Sequence, residues 1–121
     1  MTRLQRLERE CSQLWQEAQQ AMWRGQCMTC PWHHVPTSAH HIIKRRFHAT
    51  KFAMMNGITL CPECHSWAED KPSAFLAWLK RRWPPLWLWH LEHKNPEPVR
   101  FTEAYLLETR AGLKQAIKEL G

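Results

Sequence analysis

The chain predicts an α+β domain, and three features carry that expectation. Apolar residues at helical spacing fill the N-terminal segment, two CxxC pairs (Cys27 with Cys30, Cys61 with Cys64) bracket residues 31–60, and helical patterning resumes beyond them. A strand-loop-strand-helix unit between flanking helices follows. With 121 residues and no repeat, low-complexity tract or flexible linker, a single domain over 1–121 is expected. It divides into an N-terminal helix at 3–23, a core at 27–70 and a helical extension at 71–121.

Leu4, Leu7, Cys11, Leu14, Ala18 and Ala21 succeed one another at steps of three and four, an amphipathic helix over 3–23 that Gly25 can stop. Such a short stripe ending in Ala, with Trp15 and Trp23 beside it, more often packs on its own domain than in a coiled coil; monomer and homodimer both stay open. Pro31 and Pro36 make residues 27–38 a loop that holds the first cysteine pair, and residues 40–46 read as a strand leading out of it. Asn56-Gly57 marks a turn before the second pair. Helical pattern resumes at His65. Ser73 is a candidate cap for a helix carrying Phe75, Leu76, Trp78 and Leu79, which Pro84-Pro85 blocks. Trp83, Trp87 and Trp89 around those prolines suit base stacking or core packing, and a small domain's need for bulky side chains favours the core. Thr102 begins a last helix to about Leu120, with Tyr105, Leu106, Leu113 and Ile117 available for packing.

Five cysteines, four of them in CxxC pairs, suit thiolate-bound metal in a reducing compartment better than a disulfide framework. The odd one, Cys11, reads as a buried helix residue. The spacing matches a closed tetrahedral zinc site with Cys27, Cys30, Cys61 and Cys64 as ligands. An iron-sulfur cluster is the alternative, and His33 can compete with a cysteine. Four sulfurs satisfy such an ion, so His40, His41 and His65 are left free for other chemistry; no role falls to His34 or His48. The net charge is +6, with clusters at Lys44-Arg45-Arg46 (Lys51 nearby) and Lys80-Arg81-Arg82. Polyanions are the natural partners of such clusters, although many basic surfaces are only solvated faces. No apolar run approaches the roughly 20 residues of a membrane span, and the N-terminus lacks a signal-peptide core, so a soluble, intracellular protein without a membrane partner is expected.

Ala39-His40-His41-Ile42-Ile43, followed by Asn56-Gly57-Ile58-Thr59-Leu60-Cys61-Pro62-Glu63-Cys64-His65, resembles the His-Asn-His (HNH) endonuclease motif. The form is that of the small zinc-stapled HNH proteins common in phages and prophages, and the likeness runs from Cys27 to about Trp67. It implies a ββα-metal, treble-clef-like core in which a hairpin and a helix grip a catalytic divalent ion. It implies hydrolysis of DNA phosphodiesters to 5′-phosphate and 3′-hydroxyl ends, and the cytoplasm of a bacterium or phage-infected host as location. On this resemblance His41 is the general base, His40 and His65 hold the catalytic ion, and Asn56 bridges backbone groups of the loop to keep the base oriented. Lys44, Arg45 and Arg46 would grip the phosphate backbone. Glu69, four residues after His65 and so on the same helix face, is a candidate third ligand, although a Glu at such spacing is usually only solvated.

Adjacent strand residues point to opposite faces. A bend or bulge at the strand start is therefore expected if His40 is to reach the ion while His41 faces the water. The bland reading makes one histidine core and the other surface. Because His40 stands where Asp is frequent, the ion's identity is open among magnesium, manganese, nickel and zinc; imidazole suits the transition ions and oxygen suits magnesium. A base of ordinary imidazole pKa predicts a rate that climbs between about pH 5 and 8. A single basic monomer with one such site most simply nicks one strand. The rival reading is a non-catalytic zinc-stapled nucleic-acid-binding module of phage origin. A decayed nuclease would lose its base or a metal ligand first, and His40, His41, Asn56 and His65 are all present. A third reading, an interaction domain docking through its N-terminal helix and tryptophans, predicts weak DNA affinity.

Overall fold

The computed structural model describes residues 1–30 and 35–121; Pro31, His33 and His34 lie outside the described residues. In chain order the elements are α1 (Arg3–Trp23), β1 (Ser38–His41), β2 (Gly57–Leu60), α2 (Pro62–Asp70), α3 (Pro72–Arg82), α4 (Pro84–His93) and α5 (Glu103–Leu120), with a 3-10 turn at Met54–Asn56 entering β2. The fold is α+β, five helices around one antiparallel two-stranded sheet among the described residues. No helix among them is long and apolar enough to cross a membrane.

Thr2 starts α1 with a capping box: its hydroxyl accepts from the Gln5 amide at 3.1 Å, and its own amide donates to the Gln5 side chain at 2.8 Å. The helix spans the expected residues and ends at Trp23, with Gly25 just past its cap. Arg24 (φ 56°) and Gly25 (φ 65°) both adopt left-handed backbone, and both amides donate to the Gln20 carbonyl. The buried face is Leu7, Cys11, Trp15, Ala18 and Gln19, whereas Leu4 is exposed. It differs from the expected stripe because α1 has two partners. One is α5, which runs in the same direction: Arg3 meets Glu103 at 2.7 Å, Arg110 meets Glu10 at 3.1 Å, and the buried Cys11 thiol donates to the Leu106 carbonyl at 3.4 Å. The other is the hairpin, against which Trp15 and Gln19 are pressed.

The remaining helices are punctuated by proline. Pro62, Pro72 and Pro84 each open a helix, where the missing N–H costs nothing and the fixed φ helps, while the preceding residue is held out of helical conformation. Two expectations shift accordingly. The helix after the second cysteine pair begins at Pro62, within the pair, not at His65; and Lys71, not Ser73, precedes α3. Thr102 caps α5 as expected, accepting from the Tyr105 amide at 3.1 Å.

The sheet is a partition. On one side Ile58 and Leu60 join the cysteines, Ala68, Phe75, Leu79 and Leu86; on the other, Ala39 joins Leu7, Trp15, Phe52, Phe101 and Leu106. Because both faces are covered, all four residues of β2 are buried. Trp83 packs on the first cluster, while Trp87 and Trp89 are half-buried and stack on His90 and His93. Both outer edges of the hairpin are closed by groups from α1 and the loop after it. The Gln16 side-chain amide exchanges two bonds with Ala39, accepting from its N–H at 2.9 Å and donating to its carbonyl at 3.3 Å, as another strand would. Across the sheet, the Met28 amide donates to the Thr59 carbonyl at 3.0 Å and the buried Thr59 hydroxyl donates to the Gln26 carbonyl at 2.6 Å.

Gly57, paired with His41, is where α1 approaches most closely: a Cβ there would stand 2.6 Å from Trp15 and Gln19 side-chain atoms. Both neighbours are fully buried and held by hydrogen bonds, Trp15 to the Ala53 carbonyl and Gln19 to the Met54 carbonyl. We expect Gly57→Ala to destabilise the fold by about 1–3 kcal/mol, read as a lower urea midpoint. An unchanged midpoint would contradict this packing.

Candidate metal centres and active-site cleft

Cys27 and Cys30 sit in the loop after α1, Cys61 lies between β2 and α2, and Cys64 is in the first turn of α2. Their sulfurs converge: Cys30 Sγ lies 3.3 Å from Cys27, 3.6 Å from Cys61 and 3.4 Å from Cys64. Tetrahedral zinc with Zn–S bonds near 2.3 Å would space its sulfurs about 3.8 Å apart, so the cluster needs only slight expansion to hold such an ion. Burial raises the Cys27 thiol, but bonds from the Thr29 hydroxyl, 3.2 Å away, and from the Cys61 backbone outweigh it and bring its pKa to about 6. Cys30 is driven the other way, by burial and by the neighbouring sulfurs. A packed four-sulfur cluster cannot carry four charges unaided, and a divalent cation removes that conflict. The four cysteines can therefore hold a structural metal such as zinc.

A second group faces the adjoining cleft. His40, on β1, and His65 and Glu69, on consecutive turns of α2, bring a ligand atom each within 4.8 Å of one another. The two imidazoles meet edge to face at 5.0 Å, and Phe75 packs on His40 at 4.9 Å. His65 is held from both ends, its Nδ1 2.9 Å from the Ser38 hydroxyl and its Nε2 3.1 Å from Glu69. Burial, and then the neighbouring His65, lower His40 to about 4, so it is a neutral nitrogen donor at ordinary pH. Two imidazoles and a carboxylate suit a transition ion.

His41 turns to the opposite face. Pairing of Ser38–His41 with Gly57–Leu60 is uninterrupted, with neither bend nor bulge in the register. The expected distortion is absent. The strand simply ends at His41, and the cleft reaches both of its faces. The His41 ring stacks on Trp15 at 4.0 Å with planes 12° apart, and its Nε2 lies 3.0 Å from the Lys51 carbonyl. A carbonyl only accepts, so Nε2 carries the hydrogen and Nδ1 keeps its lone pair. Burial lowers His41 to about 4 despite the bond to Lys51.

Asn56 is fully buried and uses its whole amide. Its Oδ1 accepts from the Ile43 N–H at 2.6 Å, and its Nδ2 donates to the Ile43 and Thr50 carbonyls, both at 3.0 Å. It thereby bridges the backbone of the loop that supplies the Lys51 carbonyl. Lys44, Arg45 and Arg46 lie in that loop, not in a strand, because β1 stops at His41. All three are exposed and line the cleft of about 680 Å³ together with His40, His41, His65 and Glu69. The second basic cluster does not: Lys80 and Arg82 lie over Trp87 and Trp83 at the end of α3. His48, without an expected role, stacks on Phe101 at 3.8 Å.

The site also uses residues that sequence reasoning passed over. Trp15 and Gln16 reach it across the fold from α1, and the Lys51 contact is made by main chain, which sequence does not mark. Ser38 had a usable signal: two residues before His40 on a strand, it must share that residue's face.

Comparison with family models, with curated proteins and with solved structures gave no match.

Two outcomes follow from this geometry. Protein purified without added metal should carry close to one zinc per chain by elemental analysis, and Cys61→Ser should lose both that zinc and the cooperative thermal transition; a stable, zinc-free parent would remove the metal from the cysteines. Asn56→Ala strands three buried backbone groups, so a loss of about 3 kcal/mol or more is expected in denaturant titration.

Proposed function

We propose that the chain is a metal-dependent endonuclease of the HNH type that hydrolyses DNA phosphodiester bonds, with β1, β2 and α2 as its ββα-metal core. The observation that carries this reading is the set of groups in one cleft: a neutral imidazole whose Nδ1 has no hydrogen-bond partner among the described residues, a neighbouring His-His-Glu donor group, and three exposed cations, of which Arg46 also lies over Phe47. A closed structural metal alone would need none of these.

In this reading Lys44, Arg45 and Arg46 hold the phosphate backbone and fix its position without reading sequence. His40 and His65, with Glu69, would hold a divalent ion, whose charge when bound stabilises the phosphate and the departing 3′ oxygen as negative charge develops. His41 Nδ1 takes the proton of the attacking water. As the water oxygen bonds to phosphorus, the bond from phosphorus to O3′ breaks, leaving a 5′-phosphate; O3′ takes a proton from solvent water to become a hydroxyl, and His41 returns its proton to solvent. Trp15 keeps the base in plane, the Lys51 carbonyl fixes its tautomer, and Asn56 fixes that carbonyl's loop. The two nitrogen donors favour manganese, nickel or zinc over magnesium.

Burial changes the expected pH dependence. Protonated His41 cannot accept a proton, so rate is lost as pH falls through its pKa. With that pKa near 4 rather than near an ordinary imidazole's, kcat/KM should rise through about pH 4 and stay level between 5 and 8. A limb centred near 6.5 would show that the base titrates as an exposed imidazole.

The deciding assay is nicking of supercoiled plasmid across magnesium, manganese, nickel and zinc, beside His41→Ala with zinc content and folding verified. Loss of the base should lower the rate by about 100-fold or more. Tight, salt-sensitive DNA binding with no cutting by the parent under any ion would leave a non-catalytic binding module instead.

A further inference from the structure

Beyond the main cleft, a second hollow of about 310 Å³ lies against α1, lined by Arg9, Ser12, Gln13, Trp15, Lys51 and Phe52. His41, Arg45 and Gln16 line both hollows, so the two are continuous across the histidine. Arg9, Ser12, Gln13 and Gln16 occupy successive turns of one face of α1. The Lys51 ammonium is already engaged by Glu8 at 2.8 Å, but among the described residues the guanidiniums of Arg9 and Arg45 make no ion pair or hydrogen bond. Arg9 is exposed. Two free cations, a hydroxyl and an amide thus rim a hollow whose floor is the aromatic pair Trp15 and Phe52.

We propose that this second hollow binds the DNA strand flanking the scissile phosphate, with Arg9 on a neighbouring phosphate, which makes α1 a substrate-binding element. The direction of the strand rests on the nuclease reading. A strand whose scissile phosphate sits at His41 must leave that residue in two directions, each carrying a further charge at every nucleotide. One direction is served by Lys44 and Arg46 in the main cleft and the other by Arg9 in the α1 hollow, with Arg45 between them. Hydroxyl and amide donors beside a cation are the usual partners of phosphate oxygens, and the apolar floor suits the sugar between them.

The test measures affinity of His41→Ala protein for a labelled duplex as a function of salt, so that binding is read without cleavage. Neutralising one phosphate contact lowers the slope of log K against log salt by about 0.9. Arg9→Ala, and separately Arg9→Gln, should each make the slope shallower by that amount. Lys118→Ala, which removes the same charge from a residue lining neither hollow, should not. Equal slopes for the Arg9 and Lys118 variants, in protein that still binds and whose parent still nicks plasmid, would overturn this hollow and leave the nuclease standing. A parent that binds but never cuts would overturn the nuclease, while the Arg9 slope would still decide the hollow. A parent that does not bind DNA overturns both.

Discussion

The arrangement of the cleft depends on one side chain, the amide of Asn56. A loop from Ile42 to Ala53 with no strand of its own would ordinarily be among the least determined parts of a small domain. Three hydrogen bonds from one fully buried group fix both its beginning, at Ile43, and its return, at Thr50. The next residue is Lys51, whose carbonyl reaches the His41 ring. The position of the imidazole, the exposure of Lys44 to Arg46 and the wall of the cleft are thus set from beneath. Asparagine is suited to this because it donates and accepts in one plane; a carboxylate of the same shape could only accept from Ile43 and would repel the two carbonyls.

A two-stranded hairpin is marginal by itself, and here it is sustained by what surrounds it. Each face carries its own apolar cluster, and each outer edge is closed by groups from outside the sheet. Gln16 is central because its amide imitates a strand's backbone while the residue before it, Trp15, supplies the surface on which His41 lies. The same turn of α1 therefore holds both the strand and the histidine at its end. This coupling gives the parallel packing of α1 on α5 a role in the cleft. Leu7, Cys11 and Leu106 fix the height of the helix that presents Trp15, and Gly57 lets it come close.

Much of this was legible in the sequence, and the misses share a cause. The span of α1, the convergence of four cysteines and the cap at Thr102 are set by spacing within a few residues, where local rules apply. A strand to Arg46 is a natural expectation, since Lys44 to Arg46 continue the chain from an apolar pair, Ile42 and Ile43; in the fold β1 ends at His41, and both Ile42 and Ile43 are bonded to Asn56 instead of to a partner strand. Ser73 was a good capping residue in isolation, but Pro72 sets the helix start one residue earlier. Trp15 and Gln16 fell outside the expected stripe because a helix with two partners buries more than one face. The burial that keeps His41 neutral is likewise a product of tertiary packing, which composition does not carry.

The two donor groups differ in burial and in donor chemistry. In the cysteine cluster each sulfur is turned to the others and three of the four residues are buried, so an ion there would be closed to water and could contribute only to folding. His40, His65 and Glu69 offer three donors at the wall of an open cleft, where an ion would stay accessible to solvent. Donor softness separates the ions as well: thiolates retain zinc, while imidazole and carboxylate accept a harder or exchangeable ion. The groups are nonetheless mechanically joined, since Cys64 and His65 are adjacent in the first turns of α2 and leave the helix about 100° apart, as successive residues must. The cysteine cluster thereby sets the rotation of α2 and, with it, the direction in which His65 faces Ser38 and Glu69. A metal confined to the closed site would act on the open one through that helix turn and through β2, which Cys61 follows and which pairs with the strand carrying His40, without sharing a ligand.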